Sequence, residues 1–161
     1  MTANFNNGGH MKPGYPTFIT YELLEEKGAC MDELDIFQET FPDGVHVTAE
    51  SILKAAEAEL DMEWCAKTFL DRDDREEFFS LLEEAHKTCN KAMTEASQEF
   101  SRVTEESLRV YRVTAEQAGA YTTRIAAMEK AEEAFDKAEA DAEQALNIAY
   151  AHVLIRILGL S

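Results

Sequence analysis

An all-α fold follows from three features of the sequence. Only three prolines and seven glycines interrupt 161 residues, and four of those glycines lie among the first thirty. From Arg75 to Leu158 there is no proline, and Gly119 is the sole glycine. Across that stretch, apolar or small residues recur at alternating steps of three and four, the period of a helix with one buried stripe. The expected architecture is a small N-terminal bundle of short helices, followed by a long coiled-coil-like helix or a helical hairpin.

Each element has its own signals. Residues 1–16 are rich in Asn, Gly and Pro without periodicity and read as a flexible tail. Residues 17–72 read as a small acidic helical module. Thr20 is placed to cap a helix over Tyr21–Lys27, with Gly28 as its stop. Met31, Leu34, Phe37 and Phe41 mark the inner face of a second helix. Pro42-Asp43-Gly44 forces a turn, and Val45-His46-Val47 is extended. Thr48 caps a third helix, Ala49–Leu60, which buries Ile52, Leu53, Ala56 and Leu60. Asp61 caps a fourth, Met62–Leu70, with Trp64, Cys65 and Phe69 inward. Trp64, the single tryptophan, is expected at the centre of this core.

Residues 73–161 form the second region, with Asp71 or Asp73 capping its start in an acidic first turn that suits the helix dipole. An imperfect eleven-residue spacing links Cys89, Phe100 and Tyr111, whereas a seven-residue spacing links Met128, Phe135, Ala142 and Ala149. The change of period places a bend or turn near 119–128. The stripe is rich in alanine, so one such helix buries too little area to stand alone. It needs a partner helix from the same chain or from another copy. Phe100, Tyr111, Tyr121, Ile125, Met128 and Phe135 are the expected seam of a homo-oligomer, a dimer in the first instance.

The charge narrows the function. Asp and Glu number 32 against 15 Lys and Arg, a net charge of −17. Binding a phosphate backbone or an anionic membrane needs the opposite sign, so no direct nucleic-acid or membrane role is expected. A basic protein surface, including a DNA-binding groove, is the natural counterpart. Within residues 22–84 the acidic side chains number 20 and the basic ones 5. Asp32, Glu33, Asp35, Glu39, Asp71, Asp73 and Asp74 are the candidate docking residues.

Signals of catalysis are weak. The sequence holds no Gly-rich phosphate loop and no Gly-x-Ser-x-Gly elbow. Glu83 and His86 have the i,i+3 spacing of a helical di-metal site, but that site needs two such pairs. Asp71-x-Asp73-Asp74 lacks the glycine and the terminal Glu of a calcium loop. His46 and His152 read as ordinary packing or surface residues. No catalytic residue, cofactor or metal is assigned. Cys30, Cys65 and Cys89, an odd number without close spacing, read as reduced thiols in a cytoplasmic protein. The apolar end Val153–Leu160 is too short for a membrane span and contains Arg156.

The run Gly28-Ala29-Cys30, Phe37, Phe41-Pro42-Asp43-Gly44-Val45-x-Val47-Thr48 and Asp61-x-x-Trp64-x-Ala66-x-x-Phe69-Leu70 resembles a module of small uncharacterised phage and bacterial proteins. Those proteins also carry a repetitive C-terminal helix. The likeness covers residues 20–72 by motif and lends no site residue. It implies a phage or mobile-element setting, where small acidic proteins often inhibit host nucleases or defence complexes. Two expectations result. One is a non-catalytic inhibitor that docks its acidic surface on a basic host defence complex in the host cytoplasm, as a DNA mimic would. The other is a structural coiled-coil oligomer or spacer whose charge serves solubility.

Overall fold

The computed structural model describes residues 11–114 and 119–160. Among them the chain forms seven helices and one two-stranded ribbon: β1 (Phe18–Ile19), α1 (Tyr21–Glu26), α2 (Met31–Thr40), β2 (Val45–His46), α3 (Ala49–Glu57), α4 (Met62–Phe69), α5 (Arg72–Leu81), α6 (Glu83–Thr114) and α7 (Ala120–Ile157). The fold is all-α, as the sequence predicts.

Side-chain caps start four of the helices. The Thr20 hydroxyl accepts from the Leu23 N–H at 3.2 Å. Thr48 and Ser51 form a reciprocal box at 3.1 and 2.9 Å, which satisfies two backbone donors at once. Asp61 accepts from the Trp64 N–H at 2.8 Å, and Asp71 from the Asp74 N–H at 2.9 Å. The third helix is shorter than expected. It stops at Glu57 because Glu59 takes a left-handed φ of 68° and the Leu60 N–H turns back to the Ala55 carbonyl. That reversal tucks Leu60 into the core.

The 41–44 turn is closed by the Gly44 N–H donating to the Phe41 carbonyl at 3.0 Å. It leads into β2, which pairs antiparallel with β1 in the register Phe18↔His46 and Ile19↔Val45. Strand β1 carries no sequence signal of its own. Gly44 has φ +75°, and a Cβ there would lie 2.8 Å from the Ile19 carbonyl oxygen and 2.9 Å from the Phe18 ring. Gly44→Ala is therefore expected to destabilise the fold by about 1–3 kcal/mol, measured as a lower urea midpoint with an unchanged slope.

The structure divides into two compact units, residues up to Ala85 together with those from Leu146, and His86–Ala145. This corrects the expected boundary at residue 72. Helix α5 and the C-terminal segment belong to the first unit, because the apolar run near the C-terminus packs into the core of the N-terminal module. Tyr150, Ala151, Leu154, Ile157 and Leu158 lie in the same buried cluster as Leu34, Phe37 and Ile52. The largest fully buried side chains are Phe78, Leu34 and Leu82. Trp64, expected at the centre, sits partly exposed, edge-on to Phe69 at 6.2 Å. Met31, expected inside, is 63% exposed at the first position of α2.

The tail expected over 1–16 also needs correction. Residues 1–10 lie outside the described residues, but 11–16 are fastened to the core. The Lys12 N–H donates to the Leu158 carbonyl at 3.0 Å. The Lys12 ammonium pairs with Asp74, and the Tyr15 hydroxyl donates to the other Asp74 oxygen.

The second unit is an antiparallel helical hairpin. Helix α6 ends at Thr114 and α7 begins at Ala120, with Gly119 at φ +91° entering it. Residues 115–118 lie outside the described residues, and Gly119, the first residue of the expected 119–128 window, has the left-handed backbone that glycine admits. Phe100 meets Phe135 with centroids 5.7 Å apart, and Tyr111 meets Tyr121 at 6.3 Å. No helix among the described residues is long and apolar enough to cross a membrane.

Candidate interaction surface

Helix α2 shows how the sequence splits its faces. Leu34 and Phe37 are buried, and the adjoining Phe41 is buried with its ring 5.5 Å from that of Phe37. Asp32, Asp35 and Glu39, at i, i+3 and i+7, share another face and are exposed. Helix α1 packs against α2. It buries Leu24 and exposes Glu22, Glu25 and Glu26. Among the described residues, Glu25, Glu26, Asp32, Asp35 and Glu39 have neither an ion pair nor a side-chain hydrogen bond. Lys27 is the only cation on these two helices and the link between them.

The hairpin treats its charges differently. The Arg102 guanidinium grips Glu99 through two bonds of 2.7 and 2.6 Å, and Arg109 grips Glu106 at 2.9 and 2.7 Å. Lys91 and Glu95 pair at 3.7 Å. The two units also differ in total. The first holds 20 acidic and 7 basic side chains, the second 12 and 8.

The seven expected docking residues therefore separate. Asp32, Asp35, Glu39 and Asp73 are exposed. Asp71 is exposed, but one of its oxygens is committed to capping α5. Glu33 is half-buried, and its Oε2 accepts from the Asp61 N–H at 3.0 Å. Burial raises its carboxyl pKa. It holds the α3–α4 reversal in place.

Asp74 is the clearest correction. Its side chain is 6% exposed and engaged by Lys12 and Tyr15, so it is withdrawn from any docking surface. Burial follows because α5 presents Asp74 and Phe78, four residues apart, on its inner face. The Lys12 and Tyr15 hydrogen bonds hold the Asp74 carboxyl below its ordinary value of 3.8, and the Lys12 charge adds to that effect. Burial, then the Asp74 hydrogen bond, pushes the Tyr15 hydroxyl above the ordinary phenolic range. Because the folded carboxyl pKa is depressed, this contribution is complete above the unfolded value near 4 and is lost as pH falls through the folded one. Asp74→Asn should therefore lower the thermal midpoint at pH 7, and the gap from the parent should close as both are titrated below about pH 4.

Glu25 and Glu26 join the exposed acidic group although α1 is too short for its spacing to single them out. The expected seam residues Phe100, Tyr111, Tyr121 and Phe135 pair within one hairpin, and the Arg124 guanidinium lies 5.3 Å from the Tyr111 ring centre. Ile125 and Met128 are partly buried on α7. The partner helix required by the alanine stripe thus comes from the same chain. Tyr121 is 63% exposed, however, and Val113 is 80% exposed.

The first unit holds a partly open apolar pocket of about 110 Å³, lined by Phe37, Ile52, Leu60, Met62 and Trp64, with Glu33 and Cys65 at its wall. Burial pushes the Cys65 thiol up to about 12, so it is a neutral, poorly nucleophilic group at physiological pH. Cys30, Cys65 and Cys89 are free thiols, and Cys30 is exposed. No group of three metal-ligating side chains occurs among the described residues. The chain matches no family model, no curated protein and no solved structure.

Proposed function

We propose that the chain is a non-catalytic binding protein that docks the acidic face of α1 and α2 on a basic surface of another protein. The observation that carries this reading is the contrast between carboxylates. Those at 25, 26, 32, 35 and 39 stand in solvent with Lys27 as the one cation of their two helices, while the hairpin sets eight basic side chains against its twelve acidic ones and its Arg102 and Arg109 grip Glu99 and Glu106. Uncompensated charge raises the potential over α1 and α2, and a cationic groove would relieve it. The partner class that fits is a DNA-binding protein, such as a nuclease or a defence complex, with this face standing in for phosphates. The phage setting, the host cytoplasm and the inhibitory role follow from the resemblance of residues 20–72. No cofactor enters this function.

The test is capture from bacterial lysate on the immobilised chain and on its Asp32→Lys, Asp35→Lys, Glu39→Lys triple variant. The expected result is a protein bound by the parent in low salt and lost both in high salt and on the variant, with affinity reduced on the order of a hundredfold. Equal capture by parent and variant contradicts the reading.

A second reading, a coiled-coil spacer or assembly component, is favoured by the exposed Val113 and Tyr121 at the hairpin end. It expects a stable homo-oligomer and no salt-sensitive partner.

A further inference from the structure

One face of the hairpin is a long open groove. Its lining runs from Ala96 and Ala138 to Thr114 and Gly119. Val103 and Ala127 line it midway, and Val110, 43% exposed, lies nearer the turn. The groove is the open side of the hairpin seam, sharing Phe100, Tyr111 and Phe135 with it, and no described residue outside the hairpin lines it. Glu99, Arg102 and Glu106 stand on its α6 wall. Arg109 extends that row, and the four side chains are 48–73% exposed.

The order of those charges suggests an occupant. Read along α6 they run minus, plus, minus, plus with steps of three, four and three. Reversing the helix turns the pattern into its own complement. An antiparallel second α6, centred level with residue 104, sets Glu99 opposite Arg109 of the second copy and Arg102 opposite Glu106 of the second copy. A parallel second copy in register sets like charges side by side, which is disfavoured. The existing i,i+3 pairs need not break, because each arginine can bridge its own glutamate and the facing one.

We infer that this groove is a homodimer interface in which α6 packs antiparallel on α6 of a second copy, about a two-fold axis level with residue 104. Isologous pairing of this kind closes the assembly at two chains. Val110 and the small residues on the groove floor let the helices approach, and the charged row fixes direction and register. The interface deepens the spacer reading but uses no residue of α1 or α2, so it stands or falls independently of the acidic face.

Light scattering after size exclusion gives the test. The parent is expected at twice 18.1 kDa. The variants Arg102→Glu/Arg109→Glu and Glu99→Arg/Glu106→Arg should each be monomeric, with association weakened on the order of a hundredfold as four exposed pairs turn repulsive. Mixing the two should restore a dimer that contains one of each. Val110→Arg, which leaves the charged row intact, should also be monomeric with unchanged helix content by circular dichroism. A monomeric parent overturns the interface. So does a dimer that persists in both charge variants, or two helical monomers that do not combine on mixing.

Discussion

Truncation of Phe78 to alanine is expected to cost about 3–5 kcal/mol, the largest single effect in the molecule. Phe78 is fully buried on α5, edge-on to Phe79 at 5.3 Å and tilted against Tyr150 of α7 at 5.8 Å. It therefore joins a mid-chain helix to the C-terminal one. The loss combines transfer of the ring to water with a void beside Phe79 and Tyr150 in the buried cluster, which close packing cannot refill. Domains of this kind are typically stable by about 5–15 kcal/mol, so the variant should populate unfolded chains at room temperature. Urea unfolding followed by circular dichroism gives the number. Phe78→Leu should recover more than half of the loss, because it restores most of the volume.

Asn147→Ala is expected to cost roughly 3 kcal/mol by a different route. Its side-chain amide donates to the Ala56 carbonyl at 3.2 Å and the Leu60 carbonyl at 2.9 Å, while its oxygen accepts from the Met62 N–H at 3.1 Å. One side chain on α7 thus serves three backbone groups where α3 ends and α4 begins. A typical net contribution is about 1 kcal/mol per hydrogen bond, and more where a buried group is left unsatisfied. Asn147→Asp separates geometry from chemistry. It keeps the acceptor for Met62 but turns an acceptor toward two carbonyls, so it should be at least as damaging as alanine at pH 7. Hydrogen exchange should localise the opening to Ala56–Met62.

Local chemistry was legible in the sequence. Thr20, Thr48, Asp61 and Asp71 announce their helices because a cap needs only neighbours within three residues. The Pro42–Gly44 turn and the inward Leu34, Phe37 and Ile52 follow equally local rules. Contacts that join distant segments were not legible. A seam with steps of three and four looks the same whether its partner is another copy or a second helix of the same chain. Asp74 read as one more acidic surface residue because Lys12 and Tyr15, which draw it inward, lie 62 and 59 residues away. Asn147 carries no helical-period signal, and its partners lie 85–91 residues back. The single tryptophan points to Trp64 as the centre, but Phe78 on α5, the next helix, is the fully buried aromatic ring. Of the acidic surface, Asp32, Asp35 and Glu39 could be picked out from the spacing of α2. Glu33 could not be separated from them without seeing the Asp61 N–H that it binds.

The negative face of α1 and α2 is proposed to occupy a site built for phosphate. Competition between this chain and duplex DNA for the captured partner tests it most directly. Binding should be mutually exclusive: added chain should release labelled DNA, and the Asp32→Lys, Asp35→Lys, Glu39→Lys variant should not. A stable ternary complex of partner, DNA and this chain would contradict it.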